Sequence, residues 1–122
     1  MRVSAELGSY LWRLDVLVTD EILEAALKRL AATDDLSAEL HTKVERAEFK
    51  AKAVKDAAFM RHEGSVAERQ ALAGTSADYT IAMDEYFAAL QAHEALRNER
   101  ARKVIVIDVW RSLNSARNKG LL

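Results

Sequence analysis

LHTKVERAEFKAKAVKDAA, residues 40–58, is the stretch that decides the fold. Leu40, Val44, Ala47, Ala51, Val54 and Ala58 recur in it at steps of 4, 3, 4, 3 and 4. That spacing keeps one face of an α-helix turned toward a helical neighbour. Three of the six are alanines, which bury little area but let the neighbour come close, so a tight hairpin or bundle contact is predicted. The helix carrying this seam is expected over roughly 36–61, and it ends before Gly64.

Upstream, Leu7, Leu11, Leu14 and Val18 form one helical stripe over about 4–18. Thr19 is placed to accept from a following amide, and Asp20 and Glu21 set negative charge at the positive end of a second helix. That helix is expected to bury Ile22, Ala26, Leu27 and Leu30. Its end is read at Thr33-Asp34-Asp35, whose short polar side chains compete for backbone groups. Downstream, Ser65-Val66-Ala67-Glu68 reads as a capping box opening a short helix to about Ala73. Gly74 breaks it, and Thr75 or Ser76 caps the next helix.

From Ala77 to about Asn118 there is no glycine, and the chain has no proline. About 39 helical residues would extend ~58 Å. Tyr79, Met83, Tyr86, Leu90, Leu96, Val104, Ile107, Trp110 and Leu113 keep to helical spacing, with a drift through the charged stretch 97–103. Val104-Ile105-Val106-Ile107 is β-branched and suits a strand, but no other segment reads as its partner, so helix is expected throughout.

Composition agrees with an all-α class. The 122 residues are half apolar and include four glycines and no cysteine. One domain over 1–122 is expected, an elongated antiparallel helical hairpin (36–118) preceded by an N-terminal helical pair (1–35). A long hairpin leaves apolar surface uncovered, which predicts a homo-oligomer; a self-contained bundle with the first helices folded back is the alternative. Lack of cysteine excludes disulfides and thiolate metal sites and suits a cytoplasmic protein. The first residues mix Glu6, Arg13 and Asp15 into their apolar run, unlike a signal peptide, and nowhere do ~18 apolar residues run uninterrupted, so no membrane span is expected.

The net charge of −1 hides four alternating blocks: −4 over 1–40, +3 over 41–62, −5 over 63–96 and +5 over 97–122. At ~100° per residue, Lys43, Arg46, Lys50 and Arg61 lie close together beside the seam, in a stripe with no acid of their own helix between them. Lys52 and Lys55 sit on the far flank among Glu45 and Glu48. Arg97, Arg100 and Arg111 share a face farther on, with Arg102, Lys103, Arg117 and Lys119 around it. Rows of cations with nearby rings suit single-stranded nucleic acid, since charge holds phosphates and bases stack on aromatics. Phe49, Phe59, Tyr86, Phe87 and Trp110 are the candidate stacking residues. The bland readings are a solvated helix surface for the charges and core or interface for the rings.

Catalytic signatures are absent from the sequence. His41, His62 and His93 stand on different segments with no carboxylate three or four residues before them, so neither the di-iron nor the zinc helix motif is present. There is no phosphate-binding glycine loop and no nucleophile elbow. Glu21, Glu24, Glu45 and Glu48 loosely resemble the Mg²⁺ cage of all-α nucleoside triphosphate pyrophosphohydrolases. That family's second pair ends in aspartate, and Lys43, Lys50 and Lys52 compete for these carboxylates. No cofactor is expected, and no enzymatic activity.

A basic amphipathic helix, a short capped connection, a long Tyr-containing acidic helix and a basic stretch running into Val104-Ile105-Val106-Ile107-Asp108-Val109-Trp110-Arg111 resembles, over about residues 38–120, the phage recombination mediators of the UvsY type. The resemblance implies a small helical protein that assembles into a ring, binds single-stranded DNA and helps a RecA-like recombinase displace single-strand-binding protein. Carried over by position, it implies DNA contacts from Lys43, Arg46, Lys50, Lys55 and Arg61. Residues 1–35 have no counterpart in that pattern. The resulting expectation is an oligomeric accessory protein of recombination or replication that binds single-stranded DNA without sequence preference. The rival is a helical protein-interaction module, such as a phage-encoded inhibitor or adaptor.

Overall fold

The computed structural model describes residues 18–120; the helix expected over 4–18, apart from Val18, lies outside them. Among the described residues there are three helices: α1 (Asp20–Arg61), α2 (Val66–Gly74) and α3 (Ala77–Asn118). No strand occurs among the described residues, and 104–107 is part of α3. The fold is therefore all-α. No helix among the described residues is long and apolar enough to cross a membrane.

The helix starts are where the short polar residues stand. Thr19 Oγ1 accepts from the Ile22 amide at 3.3 Å, Ser65 Oγ from Glu68 at 3.1 Å, and Ser76 Oγ from Tyr79 at 3.3 Å. Each satisfies one of the amides a helix start leaves open. Gly64, between α1 and α2, has φ +118°, a conformation closed to residues with a Cβ.

The expected break at Thr33-Asp34-Asp35 is not there: α1 runs through it as one helix of 42 residues. The Thr33 hydroxyl donates to the Arg29 carbonyl at 2.7 Å, four residues back, so it is satisfied within the helix instead of competing with it. Asp34 and Asp35 point to solvent, and Asp34 pairs with Arg100. With the helix intact, the seam of 40–58 extends backward at the same 3-4 alternation through Ser37, Thr33, Leu30, Ala26 and Leu23, all buried or half-buried. Ala26 and Leu30 face inward as expected. Ile22 and Leu27 do not; they are exposed, and Leu23 holds the inward position.

The chain forms two compact units. Among the described residues, one contains Asp35–Arg97 and the other contains 18–34 and 98–120. Within the first, Lys50 meets Glu85, Arg61 meets Asp78 and His41 meets His93, so α1 and α3 run antiparallel. Its core is nearly all alanine: Ala51 and Ala58 from α1, Ala73 from α2, and Ala82 and Ala89 with Leu96 from α3. α2 is held by Arg69, which donates to the Phe59 carbonyl and lies 4.1 Å over the Phe59 ring.

The second unit is also an antiparallel pair, with Asp20 against Trp110 and Arg29 against Glu99. Among its described residues, Ala26, Thr33 and Leu113 are buried. Val104, expected inside, is exposed; Ile107 is half-buried as expected, and Val106 is half-buried beside it.

Candidate nucleic-acid interface

The eight cations expected to contact DNA fall into distinct groups. Lys43 and Arg46 are exposed and have no hydrogen-bond or ion-pair partner among the described residues. Lys50, Arg61, Arg97 and Arg111 are exposed but paired: Lys50 with Glu85 at 2.9 Å, Arg61 with Asp78 at 3.4 Å, Arg97 with Glu94 at 3.6 Å and Arg111 with Asp108 at 3.9 Å. Lys55 Nζ stands 5.3 Å from the centre of the Tyr79 ring, a cation–π contact. Arg100 is turned inward.

The acid-free stripe therefore needs correction. No acid of α1 interrupts it, but α3 supplies Glu85 and Asp78 to two of its four members. The pairs are solvent-exposed and individually weak, so they lower the local positive field more than they stabilise the fold. Arg100 does not share an outward face with Arg97 and Arg111. Its guanidinium donates to the Leu30 carbonyl at 2.8 Å, to Thr33 Oγ1 at 2.7 Å and to Asp34 Oδ1 at 3.3 Å.

Next to Arg100, Arg29 and Glu99 form a two-pronged pair at 2.6 and 3.1 Å. The hydrogen bond from Arg29 holds the Glu99 carboxyl below the usual range, against a smaller opposing effect of burial; the positive charges of Arg29, Lys103 and Arg102 add to the lowering. The same contact raises Arg29. A carboxyl with a folded pKa below its unfolded one adds stability above about pH 4, and that contribution disappears as pH falls through the folded value. Glu99→Gln is therefore expected to flatten the acid limb of a stability-versus-pH profile. An acid limb identical to the parent's would contradict the role given to this pair.

The candidate stacking rings separate as sharply. Phe59 lies under Arg69, and Trp110 is half-buried with its indole N–H donating to Asp20 at 3.2 Å. Tyr86 is half-buried, 5.5 Å from Phe87. Phe87 is exposed, and Phe49 more so, at 76%. Phe49 stands one turn from Arg46, on the side of α1 away from the seam.

Histidines that the sequence scatters over separate segments are partly brought together: the His41 and His93 rings lie 5.5 Å apart, with Glu45 Oε1 3.1 Å from His41 Nε2. No local motif signals this contact; it arises from the antiparallel register of α1 and α3. Of the four carboxylates compared with a Mg²⁺ cage, Glu24 pairs with Lys28 and Glu48 with Lys52, each one turn away, and Glu45 with His41. Among the described residues no group of three or more His, Cys, Asp or Glu is arranged to hold a metal ion.

Comparison of the chain with protein-family models, with curated proteins and with solved structures gives no match.

Proposed function

We propose that the chain binds single-stranded DNA without sequence preference, as an accessory factor of recombination or replication, through a short patch on α1: Lys43, Arg46 and Phe49. The observation that carries this reading is the proximity of two cations that make no ion pair among the described residues to the most exposed large apolar side chain among them. Phosphates take the cations, and a base stacks on the ring, which has no packing role. Lys50 borders the patch and reaches a phosphate only in competition with Glu85.

Anisotropy of a labelled oligothymidine, measured over a salt series, tests it. Binding should weaken with salt, and the Lys43→Glu/Arg46→Glu variant should bind at least tenfold more weakly, with the log–log salt slope reduced by about 1.4, the share of two phosphate contacts on a single strand. Phe49→Ala should weaken binding at unchanged slope. Absence of binding at low salt removes the proposal.

The second reading is a protein-interaction module. It is favoured by the exposure of Met60, Ile81 and Phe87 and by the engagement of Lys50, Arg61, Arg97 and Arg111 in pairs. DNA binding that ignores the double charge reversal points to this reading.

A further inference from the structure

One face of the unit 35–97 is a groove between α1 and α3, about 270 Å³ in volume. Val54 and Ala57 of α1 and Ile81 and Ala82 of α3 line it. Ile81, a large aliphatic residue, is 58% exposed there. The α1 edge of the groove carries Lys50 and Arg61, and the α3 edge carries Glu85 and Asp78. Each cation already meets one carboxylate across the groove, at 2.9 and 3.4 Å.

A groove with one cationic and one anionic edge is complementary to itself. We propose that it is covered by a second copy of this chain, with α1 of each copy lying over α3 of the other about a two-fold axis along the helices. In that arrangement each Lys50 and each Arg61 faces its own carboxylate and one of the partner's. The Ile81 side chains enter the interface, and Ala57 and Ala82 let the helices approach closely. The alternative two-fold, running across the helices, stacks α1 on α1 and sets the cationic edges against each other, a like-charge cost. Phe49 stays on the outer side of α1, whereas Lys43 and Arg46 line the continuation of this face beside Lys50 and Glu85, so the dimer is tested without DNA.

Sedimentation equilibrium of the full chain from micromolar concentration upward, without DNA, decides it. The expected mass is twice that of the 13.6 kDa chain. Ile81→Glu should raise the dissociation constant at least ~30-fold, the loss of one central apolar anchor, with helical content unchanged. Phe87→Glu, similarly exposed but outside the groove, should leave the dimer intact. A monomeric parent chain at every concentration overturns the proposal, as does an assembly that survives Ile81→Glu or one that Phe87→Glu disrupts to the same extent. None of these results depends on whether the chain binds DNA.

Discussion

Replacing Arg100 with alanine is expected to lower the stability of the chain by about 2–3 kcal/mol, the largest loss from any of the eight cations considered for DNA contact. The other arginines and lysines named as DNA candidates are mainly solvated, and their pairs are worth little. Arg100 differs in surroundings: its side chain is only 22% exposed, and it donates to a backbone carbonyl, a buried hydroxyl and a carboxylate. Thr33 is 1% exposed and has already given its own proton to the Arg29 carbonyl, so its oxygen is free to accept. Truncation removes all three charge-assisted bonds at once. A lysine at 100 has the charge but not the planar fork, and it should recover only part of the loss. Chemical denaturation followed by circular dichroism reads the effect, with Arg97→Ala as the control expected to stay within about 0.5 kcal/mol. A comparable small effect for Arg100→Ala would mean that the inward contacts do not contribute to folding.

The second large effect is expected from adding volume rather than removing contacts. Ala58 is fully buried at the seam, in a core where Ala51, Ala73, Ala82 and Ala89 are buried as well. Close helix packing of this kind has no space for three more carbons, so Ala58→Leu should cost about 2–3 kcal/mol through displaced helices and strained rotamers. Leucine is nearly as good a helix former as alanine, so propensity does not account for such a loss. Ala95→Leu, on the exposed side of α3, should change stability by less than about 0.5 kcal/mol. Equal tolerance at the two positions would show that the alanine seam is loosely packed.

Much of the architecture is legible in residues 40–58 and in the absence of helix breakers from 77 to 118. Both come from local periodicity, and the limits Ala77 and Asn118 of α3 match the expectation. The three helix starts are legible for the same reason, since a cap is a contact across three residues. What escapes is what depends on a second helix. Thr33 and Asp34 read as a stop because their competition for the backbone is visible in sequence, whereas their partner Arg100 stands in α3. The stripe of Lys43, Arg46, Lys50 and Arg61 looks free of acids because Glu85 and Asp78 come from the other side of the hairpin. Only the antiparallel register reduces that stripe to Lys43 and Arg46. Phe49 is legible as a ring near charge, but its exposure is not.

The contacts of Arg100 also bear on how two long, repetitive helices find a single alignment. A seven-residue repeat built on alanine lets one helix slide past the other by a whole heptad with little change in packing. A slip in one direction would present Arg100 with Leu23, Ala26 and Leu27, and in the other with Ser37, Leu40 and His41, in place of Leu30, Thr33 and Asp34. Neither set supplies a hydroxyl and a carboxylate one residue apart. A part-buried charge that loses its hydroxyl and carboxylate acceptors is costly, so the misaligned pairings are penalised. Arg100 thus acts as an indexing pin for the antiparallel pair of its own unit, where the packing alone sets no single alignment.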